Sequence, residues 1–88
     1  MSDLDGEFAT AQTRVKQLTK TPNAGELLDL YALFKQGTLG DVQGKRPGLL
    51  DVRGRAKFDA WATKKGLASD EAKQSYVQLV ADLVKKYG

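Results

Sequence analysis

Between Tyr31 and Gly66, cations and aromatic rings alternate at helical spacing. Tyr31, Phe34 and Lys35 fall within one turn of a helix, and Arg53, Lys57, Phe58 and Trp61 fall close together on another. A phenol hydroxyl and an ammonium four residues apart can both donate to a phosphate monoester. A lysine four residues before a tryptophan sets a cation beside a flat ring. These residue types suit a ligand carrying a phosphate and a planar base. Each pair also has an ordinary reading, an aromatic on a core face beside a solvated or snorkelling lysine. Spacing alone leaves both open, and on pattern Lys16 is uninformative and Tyr76 reads as core.

Catalysis finds little to work with. The chain has no histidine and no cysteine, so it lacks the usual base near neutrality and any thiolate nucleophile. Asp41, Asp51 and Asp59 all have ordinary capping or ion-pair explanations. The glycines form neither a phosphate-loop nor a dinucleotide fingerprint. Soft metal ligands and a dense carboxylate cluster are both lacking. The expectation is a binding protein with no catalytic residue, no metal and no cofactor.

The chain has 88 residues, which predicts a single domain, 1–88, with a thin core. Without cysteine there is no disulfide, which fits a reducing compartment. The segment Met1-Ser2-Asp3-Leu4-Asp5 is acidic and lacks an apolar run, so no secretory signal is expected. No segment reaches membrane-spanning length. The expectation is a soluble cytoplasmic protein. Net charge is +3, but Lys35 to Lys65 holds eight basic residues against three acids. That local field attracts an anion, unless it is simply a solvated face.

Four helical segments must position these residues. In the first, Leu4, Phe8, Ala11, Val15 and Leu18 form an apolar stripe, broken at Thr19 to Pro22. The second opens at Asn23, with Glu26 completing a capping box, and runs to Gln36 before Gly37 and Gly40 end it. It is more apolar than one stripe requires, as if covered on two sides. Residues 37–51, punctuated by glycines and Pro47, predict a long functional loop. Asp51 caps a third helix reaching about Lys65 and closing at Gly66. Ser69 caps a fourth, with Ala72, Tyr76, Leu79, Val80, Leu83, Val84 and Tyr87 as its stripe. No β pattern competes. The expected fold is all-α, a four-helix up-down bundle with a long loop between helices 2 and 3.

The runs YALFKQGTLGD (Tyr31 to Asp41), KRPGLLDVRGRAKFDAW (Lys45 to Trp61) and KKG (Lys64 to Gly66) closely resemble the acyl-CoA-binding protein family. The likeness extends along the chain through Phe8, Val15, Leu18, Pro22, Ala72, Tyr76 and the closing KKYG. It implies the helical bundle of that family and the binding of medium- to long-chain fatty acyl-CoA esters. It also implies intracellular buffering and transport of those esters by a monomer, with transient contact with acyl-CoA-using enzymes or membranes. At matching positions Tyr31, Lys35 and Lys57 would hold the 3′-phosphate. Tyr31, Ala32, Leu33, Phe34 and Lys35 would form one wall, with Lys16 and Tyr76 around the adenine and phosphates. Leu27, Leu28, Ala56 and Phe58 would flank the acyl chain. This chain departs from common family residues at Phe34 (tyrosine), Phe58 (tryptophan), Arg53 and Arg55 (lysine) and Gly37 (alanine).

Two other classes deserve weight beside this one. A basic helical nucleic-acid module would use the charge, but no helix is densely basic and the apolar surface would go unused. A protein-interaction domain would use the second helix as a groove wall. The resemblance favours the carrier and no nucleic acid.

Overall fold

The computed structural model describes residues 3–88. Met1 and Ser2, which open the amino-terminal segment considered above, lie outside the described residues. Four helices make up the regular structure: α1 (Leu4–Lys16), α2 (Ala24–Leu39), α3 (Val52–Ala62) and α4 (Ser69–Tyr87). Among the described residues there is no strand.

Side-chain caps start three of the helices, α2 and α3 at the residues the sequence predicts and α1 at Asp3. Asp3 accepts from the Gly6 amide (3.0 Å) and Asp51 from the Gly54 amide (2.9 Å). Asn23 and Glu26 form the reciprocal capping box, at 2.8 and 2.9 Å. The fourth start differs. Ala68, not Ser69, is the cap residue of α4, and it makes no side-chain capping bond. Ser69 is already helical, so Asp70 and Glu71 at the positive end of the helix dipole are the favourable charges there.

Gly37 does not end α2. The helix continues through it to Leu39 because α4 lies against it. A Cβ at Gly37 would sit 3.0 Å from Lys73 Cγ and 3.7 Å from Phe8 Cζ. The terminator is Gly40, whose φ of 80° is a conformation that favours glycine. Helix α3 stops at Ala62 rather than Lys65. Lys64 and Lys65 donate to Trp61 and Ala62, a tighter three-residue pattern that leads into Gly66.

Helix α4 is the spine. It packs against α1 and α2, and α3 lies against α2 only. Phe8 and Ala11 of α1, Leu30 and Leu33 of α2, and Ala72, Tyr76, Val80 and Leu83 of α4 form the buried cluster. Phe8 sits at its centre, edge-on to Tyr76 (ring centroids 5.0 Å apart) and stacked on Phe34 (5.9 Å). Each fully buried large side chain of the cluster contributes about 1.5–3 kcal/mol by leaving water. Helix α3 contributes no fully buried residue.

Side-chain pairings give the helix directions. Asp5 pairs with Lys73 and Phe8 meets Tyr76, so α1 and α4 run parallel. Gly37 meets Lys73 while Glu26 meets Lys86 and Tyr87, so α2 is antiparallel to α4. Tyr31 meets Lys57 and Lys35 meets Trp61, so α3 runs parallel to α2. The order is therefore up, down, down, up. The long loop is what allows it, because consecutive parallel helices need a connection that returns the full helix length.

That loop is tied down. Arg46 makes two bonds to Asp59 (2.9 and 2.6 Å), and Arg55 Nε donates to the Pro47 carbonyl (2.8 Å). Asp41 Oδ1 accepts from Gln36 Nε2 and from the Gly66 amide, both at 2.8 Å. Gln36 also donates to the Leu67 carbonyl (2.8 Å), so one buried amide joins α2, the loop and the α3–α4 turn.

Candidate functional site

The seam between α2 and α3 collects the chemistry. Tyr31 and Lys35 project from α2 at i and i+4, and Lys57 and Trp61 do the same from α3. The Lys35 ammonium lies 5.7 Å from the Tyr31 ring centroid and 5.8 Å from that of Trp61. The Lys57 ammonium approaches Tyr31 from the other helix at 5.4 Å. Trp61 is fixed by its indole N–H, which donates to the Gly40 carbonyl at 2.8 Å. Two cations thus converge on one phenol ring, and among the described residues neither has a carboxylate partner. Cation–π attraction holds each of them, but two like charges at one ring repel. An anion placed between them removes that repulsion.

Further along the same seam, towards the start of both helices, lies an almost wholly apolar groove of about 240 Å³. Ala24, Leu27 and Leu28 of α2 face Arg53, Ala56 and Lys57 of α3 across it. Leu27 is 44% exposed, so the groove is open along one side. Its lining accounts for the surplus of apolar residues on α2: Leu30 and Leu33 serve the core, while Leu27 and Leu28 serve the groove.

The other predicted positions divide. Ala32 and Leu33 are buried on the core face of α2, so between Tyr31 and Lys35 only their backbone can form a wall. Phe34 is half-buried, with one face taken by Phe8. Tyr76 belongs to the buried cluster, as its pattern suggested, and desolvation raises its phenol pKa, which keeps it neutral. Lys16 is exposed at the end of α1 and makes none of the contacts in the α2–α3 cluster. Phe58 is not among the residues lining the groove, since it lies beyond Lys57 and is turned about 200° round α3 from Ala56. Three contributors were not among the predicted site residues: Trp61, Arg53 and Ala24. Trp61 and Arg53 were visible as the i+4 and i−4 neighbours of Lys57.

The acids of this half of the molecule are committed elsewhere. Asp59 is held below the usual carboxylate range by its bonds to Arg46, and Asp41 by the Gly66 amide and then Gln36. Asp51 serves as the α3 cap. A second depression of about 480 Å³ lies between α1 and α4, lined by Asp3, Glu7, Thr10, Arg14, Val77 and Ala81 among others. It contains none of the cluster residues.

Fold and seam together define a small all-α module presenting an unpaired basic, aromatic corner that runs into an open apolar groove. Comparison with known proteins gives the module a family. The family model described as "Acyl CoA binding protein" matches residues 5–80. Acyl-CoA-binding protein homolog 1 of Caenorhabditis elegans is 53% identical over 81 residues, covering 92% of this chain and 94% of that one. The Drosophila melanogaster homolog is 49% identical over 81 residues, with the same coverage. The crystal structure of Oryza sativa acyl-CoA-binding protein 2 superposes with a TM-score of 0.90 at 35% identity, covering 94% of this chain and 92% of that one. That of the Moniliophthora perniciosa protein gives 0.87 at 40% identity, covering 98% and 83%. The chain belongs to the acyl-CoA-binding protein family, and its fold is the all-α fold of that family.

Proposed function

We propose that this protein binds medium- to long-chain fatty acyl-CoA esters as a monomer, buffering and transporting them inside the cell without catalysis. Tyr31, Lys35 and Lys57 hold the 3′-phosphate of the ribose, Trp61 backs Lys35, and the acyl chain runs along Leu27, Leu28 and Ala56. The observation that carries this reading is the convergence of two unpaired ammoniums on Tyr31, at 5.7 and 5.4 Å, beside an apolar groove. A phosphate dianion accepts from both lysines and from the phenol, and it neutralises their mutual repulsion. The groove then takes the part of the ligand that water rejects.

The magnitudes fit. Burying an acyl chain gains roughly 0.8 kcal/mol per methylene, so a dozen fully covered would contribute about 10 kcal/mol. An open groove covers one side, leaving about half of that. Stacking of the base adds ~1–3 kcal/mol, and each charge-assisted phosphate bond about 1.5–3 kcal/mol. Lost rigid-body freedom and ordering of the chain take back a large share. Binding in the nanomolar to micromolar range follows.

Isothermal titration calorimetry with palmitoyl-CoA below its micelle concentration tests this, with CoA and palmitate as controls. Saturable one-to-one binding of the ester, and far weaker binding of either half, is the expected result. Equal affinities for CoA and its ester would remove the groove from the site. No binding of the ester at all would leave an interaction module as the better description.

A further inference from the structure

Leu49 and Leu50 occupy the two central positions of a tight turn, closed by the Asp51 amide donating to the Gly48 carbonyl at 3.0 Å. Such corners ordinarily carry Asn, Asp, Gly or Pro. Here they carry leucines 78% and 100% exposed, followed by Val52 at 72%. The turn is not loose, since Arg46 to Asp59 and Arg55 to the Pro47 carbonyl fasten the preceding residues to α3. Three large apolar side chains are therefore held in water on a fixed support, and little conformational freedom remains to be lost when something covers them.

Charge indicates what covers them. Lys45 and Arg53 flank the turn and Lys57 follows one helical turn later, and none of the three has an ion pair among the described residues. The nearby acids are engaged, Asp51 by the Gly54 amide and Asp59 by Arg46. An apolar tip inside a basic collar matches the interface of an anionic bilayer. There apolar side chains enter the boundary between headgroups and acyl chains, and cations lie against phosphates. A hydrophobic pocket on another protein would accept the leucines but leave the collar without a role.

We propose that the turn from Gly48 to Val52 docks this protein on anionic lipid surfaces. Leu49, Leu50 and Val52 enter the interface while Lys45 and Arg53 contact lipid phosphates. Arg53 also lines the apolar groove, so docking brings the groove end of the α2–α3 seam to the bilayer. That last consequence for acyl transfer rests on the acyl-CoA reading, whereas the docking itself does not.

The test is flotation of the ligand-free protein with phosphatidylcholine vesicles, with and without phosphatidylserine. The protein is expected to float with the anionic vesicles only, and less so as salt rises. Lys45→Ala or Arg53→Ala should each weaken partition by about fivefold. Changing Leu49 and Leu50 together to Asp should weaken it about tenfold or more, with the circular dichroism spectrum unchanged because both side chains are exposed. Leu39→Asp, at an apolar site 64% exposed at the end of α2, should leave it unchanged. No flotation of the wild-type protein, or equal flotation of the double-Asp variant, overturns the proposal. So does self-association through the turn in sedimentation velocity without vesicle binding, which would make a second copy the occupant. Since no acyl-CoA is present, failure here leaves the calorimetric result standing, and the reverse holds equally.

Discussion

Lys35 and Lys57 reach the same ring from different helices without a counter-ion among the described residues, which makes them poor contributors to the ligand-free fold and strong ones to anion binding. Lys35→Ala should therefore weaken palmitoyl-CoA binding about ten- to a hundredfold, the loss of one or so charge-assisted bonds. Its ligand-free thermal midpoint should barely move. A large drop in that midpoint would mark Lys35 as structural instead. The pH dependence should come from the ligand, because the chain has no histidine. A phosphate monoester gives up its second charge as pH falls through about 6, so calorimetric affinity should decline across that range. Flat affinity from about pH 8 to 5 would contradict a dianion held by two lysines.

At the scale of elements, polar ties do the positioning that α3 cannot do by burial. Gln36 is the central one, joining α2, Asp41 and Leu67 while its own carbonyl oxygen is buried without a partner. Gln36→Ala leaves a cavity and an unpaired Leu67 carbonyl, and should lower stability by about 2–4 kcal/mol in urea unfolding. Glu26 ties α2 to the end of α4 instead. The Tyr87 hydroxyl, then the Asn23 amide and Lys86, hold its carboxyl below the usual range. A carboxylate held low in the fold binds protons less readily there than in the unfolded chain. Its stabilisation is complete above the unfolded value, 4.5 for Glu26 and 3.8 for Asp41 and Asp59, and is lost as pH falls through the lower folded value. Lys73 and Lys86, raised by Asp5 and Glu26, act in the opposite sense, losing their contribution only as pH rises through their folded values above 10.5. Thermal midpoints should therefore fall below about pH 4, and Glu26→Gln should be less stable near neutrality but show a shallower acid decline.

Across the whole molecule, the core joins α1, α2 and α4, and the proposed site lies on the side where α3 is attached without a buried residue. Amide exchange in the ligand-free protein should be faster in α3, which buries no residue, than in α2 and α4. Adding palmitoyl-CoA at about a hundred times its dissociation constant should raise stability by ~2.7 kcal/mol. The gain in protection should be concentrated in α3. Uniform protection before and after ligand would mean that the seam is as rigid as the core.

The helices, the starts of α2 and α3 and the aromatic–basic pairs Tyr31–Lys35 and Lys57–Trp61 were legible in the chain, because capping and i, i+4 spacing are local. Signals that depend on a neighbour were misleading. Gly37 reads as a helix terminator until α4 is seen to lie against it, and Ser69 reads as a cap until the helix is seen to begin one residue earlier. Phe58 falls away from the groove for the same reason, since which face of α3 meets α2 is a matter of packing. The sequence by itself determined an all-α chain, a basic middle third and an apolar surplus on α2. Only the tertiary structure decided that α3 runs parallel to α2. That register brings Lys57 to Tyr31, opens the groove between Leu27 and Ala56, and sets two leucines at the corner of a fastened turn, because contacts across a seam are written in two helices and in neither alone.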